Sequence, residues 1–476
     1  MKAIVSAKDQ ATPSSADETS SVRWALASLS LSVLLSSLGT SIANVALPNL
    51  AEAFDASFQQ VQWIVLAYLL AITTLIVSVG RLGDIIGRRK LLMAGIFLFT
   101  VASGFCGMSP SLWLLIVARA LQGLGAAMMM ALTIAFVGET VPKEKTGSAI
   151  GLLGTMSAIG TALGPTLGGI LITGWGWQAI FFINVPLGIL ALLLACRYLP
   201  DDKKAETTSR PAFDGVGTLL LALTLAAYAL AMTLGRGSFG LLNLCLLLLA
   251  AVGVGIFVRA EGRVLSPLIQ LTMFRNLELS ASLVMSLLVS TVMMATLVVG
   301  PFYLARALGL DAAMVGFVMS VGPLVAALTA TPAGRLADRF GAQRVTSIGL
   351  AGMAAGACTL SLLPTMFGIP GYLAPLVVIT SSYALFQTAN NTAVMRDVSP
   401  EQRGAVSGLL NLSRNLGLIT GASLMGAVFS LAAAATDITT APPEAVATGM
   451  RITFAVAAVL VVVSLALSAA TTVRRC

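Results

Sequence analysis

Continuous apolar runs alternate along this chain with short segments of glycine, proline and charge, from residue 24 to residue 472. The runs are unbroken rather than alternating with period two. That pattern fits helices crossing a bilayer and excludes a membrane β-barrel. Read against the turn and charge signals, it predicts fourteen helices over 24–48, 60–80, 91–108, 111–138, 146–173, 178–199, 213–234, 241–259, 279–305, 313–333, 345–364, 372–394, 404–431 and 449–472.

Composition agrees. Of 476 residues, 57% are apolar and 10% charged, against about 25% charged in soluble proteins. So few polar groups cannot cover so large an apolar mass, so lipid must be the solvent around most of it. The net charge of +8 is no nucleic-acid signal, because the basic residues lie in short loops between helices. With the N-terminus inside, 23 of the 28 lysines and arginines fall on cytoplasmic segments, the bias that sets topology. Miscounting one helix would invert every later loop and destroy it. Both termini are therefore expected in the cytoplasm.

The chain is also duplicated. Gly80 to Lys90 reads G-R-L-G-D-I-I-G-R-R-K and Gly334 to Arg344 reads G-R-L-A-D-R-F-G-A-Q-R, at an offset of 254. Glu144 to Gly151 (E-K-T-G-S-A-I-G) is echoed by Glu401 to Gly408 (E-Q-R-G-A-V-S-G), at an offset of 257. Helices 1–6 thus match helices 9–14, an internal repeat of the kind transporters use. The expected plan is an all-α polytopic membrane protein of six, two and six helices. Residues 1–22 form a disordered cytoplasmic tail, 23–200 the first bundle, 201–212 a cytoplasmic linker, 213–260 two extra helices, 261–278 a cytoplasmic loop and 279–473 the second bundle.

At these motifs the chain resembles the major facilitator superfamily, in its fourteen-helix drug:proton antiporter branch. The hairpin after helix 2 matches the superfamily's loop signature at Gly80, Asp84, Gly87, Arg88 and Arg89. Helix 4 carries R-A-L-Q-G-L-G-A-A from Arg119. Helix 5 carries G-T-A-L-G-P-T-L-G-G, with Gly160, Gly164, Pro165, Gly168 and Gly169, similar to a signature associated with antiporters. N-V-A-L-P (Asn44 to Pro48) and F-F-I-N-V-P-L-G (Phe181 to Gly188) are typical of the same branch. The resemblance implies export of small amphipathic or drug-like compounds from a bacterial inner membrane, in exchange for protons. One position departs: where relatives carry aspartate in L-D-x-T, this chain reads L-G-T-S, with Gly39. No Asp or Glu lies near the middle of any predicted helix, so the usual intramembrane proton carrier is missing. A facilitator or exchanger of neutral or anionic molecules is the alternative.

Candidate site residues follow from polar groups inside apolar helices. Arg119 either faces a central cavity or is a structural arginine satisfied by backbone carbonyls. Arg414, within N-L-S-R-N (Asn411 to Asn415), sits on helix 13, expected across the pseudo-twofold from helix 5. Gln387, Asn390 and Asn391 share one face of helix 12. They either line a wet cavity or join helices by hydrogen bonds. Asn44, Tyr68 and Gln122 are weaker candidates, and the Met128 to Met130 cluster is a candidate for shaping the cavity. The helix-5 glycines are read as a gate between the two bundles. Asp84 docking on helix 13, Arg88 pairing with Glu139, and the duplicate set Asp338, Arg339 and Asp397 are read as a cytoplasmic latch.

No histidine, nucleophile–base set or metal-ligand spacing is present, so no enzyme, metal or cofactor is expected. No P-loop appears, so ATP is not an expected partner. The expected partners are a small-molecule substrate, protons and the bilayer. A non-transporting sensor or scaffold is disfavoured, because no soluble domain is appended.

Overall fold

The protein is described by a computed structural model, here for residues 15–140, 146–200, 214–234, 240–264, 271–362, 367–396, 403–434 and 438–473. Among them no strand occurs, and fourteen helices are long and apolar enough to cross a membrane. In the first half these are α1 (Ser15–Val45), α2 (Phe58–Ile86), α3 (Arg88–Gly107), α4 (Leu112–Thr140), α5 (Thr146–Trp175) and α6 (Asn184–Tyr198). The extra pair is α7 (Gly215–Thr233) and α8 (Leu241–Glu261). The second half has α9 (Leu277–Phe302), α10 (Ala312–Phe340), α11 (Ala342–Leu362), α12 (Gly368–Arg396), α13 (Arg403–Thr420) and α14 (Pro443–Val473). α9 runs on into a π turn, Tyr303–Ala307, and α13 continues through a π segment, Gly421–Met425, into Gly426–Ala432.

The packing repeats as the sequence does. α1 packs on α5 and α6, α2 on α4, and α3 on α4 and α6. Their counterparts repeat this, α9 on α13 and α14, α10 on α12, and α11 on α12 and α14. Between the halves, α5 lies along α10 and α2 along α13, again a symmetric pair. The extra helix α7 packs on α2, where Trp63 Nε1 donates to Thr233 Oγ1 at 3.0 Å and the hydroxyls of Ser78 and Thr218 meet at 2.8 Å. α8 packs on α7 and leaves Leu241, Leu242, Leu248 and Leu249 exposed to lipid.

Three sequence expectations change. The expected tail, 1–22, overlaps α1, which already starts at Ser15. The S-A-D-E sequence there is a helix-start pattern, so chain polarity alone was a poor guide to disorder; residues 1–14 lie outside the described ones. Helix 6 is broken into Ala179–Phe182 and Asn184–Tyr198, with Pro186 in the first turn of the longer piece, where a missing N–H is tolerated. The duplicated hairpins are not loops. α2 runs to Ile86 and α3 starts at Arg88; α10 runs to Phe340 and α11 starts at Ala342. Only Gly87 (φ 105°) and Gly341 (φ 89°) separate them. A positive φ strains any residue with a Cβ, which is the physical reason for glycine at both joints.

Candidate functional site

Arg119, on α4, is the largest fully buried side chain and shows no exposure. Its Nε donates to the Ile64 carbonyl of α2 at 2.9 Å. Nη1 donates to the Gly39 carbonyl of α1 at 3.1 Å and to Oε1 of Gln122 at 2.6 Å. Gln122 passes the chain on, its Nε2 donating to Ser103 Oγ of α3 at 2.7 Å. The guanidinium carbon lies 4.2 Å from the Tyr68 ring centroid, and the Tyr68 hydroxyl donates to the Ser36 carbonyl at 2.9 Å. Glycines bring the backbones this close. A Cβ on Gly123 would lie 2.5 Å from the Tyr68 carbonyl oxygen, and one on Gly125 would lie 2.7 Å from the Gly95 carbonyl oxygen. Arg119 therefore ties four helices of one half together through neutral partners. No carboxylate among the described residues comes within ion-pair distance, and Nη2 has no hydrogen-bond partner.

Of the two readings of Arg119, this geometry is that of an arginine held by carbonyls, not one facing a cavity. Gly39 fits the same picture. A Cβ there would stand 3.1 Å from Phe99 Cζ and 3.3 Å from the Tyr68 hydroxyl, so two rings occupy the room an aspartate would need. Asn44 is buried as well, its Nδ2 on the Thr40 carbonyl at 3.2 Å and its Oδ1 unpartnered.

The α5 glycines divide into two groups. A Cβ on Gly160 would lie 2.6 Å from the Leu34 carbonyl oxygen, one on Gly164 2.7 Å from Ser41 Cβ, and one on Gly168 2.6 Å from Val45 Cγ1. All three press α5 onto α1 inside one half, so this ridge is not the gate between halves. Pro165 and Gly169 are at that boundary. A Cβ on Gly169 would meet Ala312 and Gly316 of α10, and one on Gly316 would meet the Pro165 carbonyl. Sequence reading missed the matching pair in the second half. Gly417 and Gly421 stand 257 positions after Gly160 and Gly164 and press α13 onto α9, against Ser290 and Met294. The repeat offset already carried that signal.

Contacts that join the halves cluster at the end where α1 finishes. Arg306 Nη2 and Glu52 Oε1 are 2.5 Å apart, and Gln59 Nε2 donates to Ser430 Oγ at 2.6 Å. The Phe58 ring meets Phe302 and Phe429, with centroids 4.8 and 5.4 Å away. Thr166 on α5 and Ser320 on α10 share a short hydrogen bond. Beside the ion pair a cavity of about 370 Å³ is lined by Asn49, Glu52, Thr173, Arg306 and Asp311, from both halves.

A twice-repeated helical half with a bridged seam at one end is a transporter's architecture, and comparison with known proteins identifies it. The Major Facilitator Superfamily profile matches residues 29–422 and 282–475. The chain belongs to this superfamily. Its relatives include the riboflavin transporter RibZ of Clostridioides difficile (strain 630), 32% identical over 84% of this chain and 86% of that protein. The multidrug resistance protein Stp of Mycobacterium tuberculosis (strain CDC 1551 / Oshkosh) is 32% identical over 82% of this chain and 72% of its own length. Among solved structures, a bacterial homologue of the human lysosomal transporter Spinster, inward-facing and unoccupied, shares the fold at a TM-score of 0.69 and 15% identity. It covers 94% of this chain and 96% of its own. The chain is thus a multi-pass membrane transporter of the major facilitator fold.

Within this superfamily fold the remaining candidates scatter. On α12, Asn390 is buried and reaches the Ser282 carbonyl of α9 at 3.5 Å, which makes it helix-joining rather than cavity-lining. Gln387 and Asn391 are half-buried, and Oε1 of one and Oδ1 of the other have no partner. On α13, Arg414 is half-buried with an unpartnered Nε, Asn415 is buried and Asn411 half-buried. Neighbouring Ser413 bonds the Leu283 carbonyl of α9 at 2.5 Å. Met129 is buried in the first half's core, and Met128 is half-buried and packs against Gly95.

Of the latch and loop-signature residues, Gly80 lies within α2, the side chains of Asp84 and Glu139 lie outside what is described, and so does Asp397 entirely. Arg89 Nη2 donates to the Cys196 carbonyl at 2.6 Å, and Arg88 is half-buried. Asp338 and Arg339 are exposed, the latter's guanidinium 5.3 Å from the Phe340 ring centroid, and neither pairs with a described ion.

Proposed function

We propose that this transporter exports small amphipathic, drug-like compounds by alternating access, in exchange for protons entering the bacterial cell, with both termini in the cytoplasm. In that orientation the bridged seam at Glu52, Gln59 and Phe58 is external. The observation that carries the reading is the set of side chains that bridge the halves at the external end. A closed outer seam is what an alternating-access carrier needs while it loads from the cytoplasm. The naming of Stp as a multidrug resistance protein supports the substrate class. Proton coupling then runs through carboxylates at helix ends, because Gly39 supplies none and Arg119 is engaged by neutral groups.

A second reading has its own observation. Arg414 is half-buried in the second half with an unpartnered Nε, and Gln387 and Asn391 each have an unpartnered oxygen. A cationic and amide-bearing interior suits neutral or anionic solutes moved without protons. The naming of RibZ as a riboflavin transporter shows that relatives are not confined to drugs.

Flux in proteoliposomes holding a pH-sensitive dye separates the two. Matched cationic, neutral and anionic compounds are offered under an imposed pH gradient. Compound-triggered proton movement is the expected result. Compound flux without it, strongest for anions, would overturn antiport and make Arg414 the substrate contact.

A further inference from the structure

At the end of the molecule where α1 and α3 begin and α6 finishes, one chain of contacts joins basic and aromatic side chains. Arg89 of α3 is pinned to the Cys196 carbonyl of α6 at 2.6 Å. The next residue, Arg197, holds its guanidinium 5.8 Å from the Tyr198 ring centroid. Tyr198 in turn stacks on Trp24 of α1, with centroids 5.9 Å apart. Arg23, Lys90 and Arg197 are exposed around this stack, and neither Arg23 nor Arg197 forms an ion pair with a described carboxylate.

Alongside the charges, α3 and α6 present exposed apolar side chains. Met93 Sδ and Cys196 Sγ meet at 3.6 Å where α3 crosses α6. Further into the membrane-spanning part, Phe97 of α3 and Ile189, Leu190 and Leu193 of α6 are exposed, Leu193 by 63%. Cations at a helix end, a tryptophan–tyrosine stack beside them and exposed apolar side chains farther along the helices are three separate features. A single amphiphile satisfies all of them.

We propose that this rim is a binding site for an anionic phospholipid. Its phosphate lies between Arg23 and Arg197, its glycerol region against Trp24 and Tyr198, and one acyl chain along the exposed apolar side chains of α3 and α6. A free phosphate would use the cations but leave those side chains and the aromatic stack without a role. The site touches neither the seam between halves nor the Arg119 network, so it is independent of which compound is transported.

Native mass spectrometry of the full chain in detergent tests this, by titration with phosphatidylglycerol, phosphatidylcholine and inorganic phosphate in turn. Phosphatidylglycerol adducts should form at lower concentration than phosphatidylcholine adducts. In an Arg23→Gln/Arg197→Gln variant the preference should fall by about five-fold for each charge removed, while Arg23→Lys/Arg197→Lys keeps it. Equal binding of the two lipids, or an unchanged preference in the glutamine variant, overturns the site. Loss in the lysine variant as complete as in the glutamine variant means charge is not what is recognised, and also overturns it. Displacement of phosphatidylglycerol by inorganic phosphate would make this a free-anion site and not a lipid site.

Discussion

Nη1 of Arg119 donates to the backbone carbonyl of Gly39 at 3.1 Å, at the position where the family resemblance implies an aspartate. Arg119 meets a peptide group there and no carboxylate, with Nη2 left without a partner. The rings of Phe99 and Tyr68 fill the space.

Gly39→Asp should therefore not simply restore an ion pair. With Phe99 Cζ 3.1 Å from the new Cβ, overpacking should destabilise the protein by about 1–3 kcal/mol. Gly39→Asp combined with Phe99→Ala should recover part of that loss. Thermal unfolding of the detergent-solubilised protein reads both, and equal melting of wild type and G39D would refute the crowding argument.

Arg119→Gln should lower stability clearly. It removes three hydrogen bonds from a charged donor, each worth about 1.5–3 kcal/mol, although glutamine replaces part of them. The change should also loosen α1 against α2 and α4. Hydrogen exchange of the α1 and α2 amides around Gly39 and Ile64 reads that loosening, and protection equal to wild type would show that the network is dispensable.

The Glu52–Arg306 pair joins the two halves but is partly exposed, by 59% and 33%. Such a pair contributes about 0–1 kcal/mol. Glu52→Gln should hence shift the population toward opening at that end by no more than about five-fold, without unfolding. The swap Glu52→Arg/Arg306→Glu should return it. Spin-label distances between the neighbouring ends of α2 and α13 report the shift, and an unaltered distribution in Glu52→Gln would remove the pair from the gate.

Gly164→Val should abolish folding, because its Cβ would lie 2.7 Å from Ser41 Cβ and 3.0 Å from the Ile42 nitrogen. Gly154→Ala on the same helix meets nothing within 4 Å and should be tolerated. Comparing the yield of monodisperse protein tests the pair, and similar yields would show that α5 is free to retreat from α1.

The fourteen spans, the duplication and the fold were legible in the sequence because each depends on local composition or on comparing the chain with itself. Gly87 and Gly341 recur for a backbone reason at the first echo's offset of 254, and the second echo's offset of 257 finds Gly417 and Gly421. The seam between halves was not legible. Gln59 and Ser430 are 371 positions apart and nothing in their surroundings marks them; Glu52 and Arg306 are separated by 254, the repeat offset, which makes them equivalent positions without saying that they pair. Arg119 was legible as unusual but not as enclosed. Two of its three hydrogen-bond acceptors are backbone carbonyls, which every residue has, so side-chain pattern is silent about them. The helix-5 ridge misled for a related reason. Glycine at every fourth position announces close packing, not which neighbour is packed.

The single-residue joints at Gly87 and Gly341 bear on how such chains can be lengthened. A helix pair separated by one left-handed glycine has no slack, so added residues there would turn the second helix about its axis and bury the wrong stripe. Insertions, epitope tags and fusion domains are excluded from these two points by geometry. That holds even though hydropathy alone would offer both as ordinary surface loops.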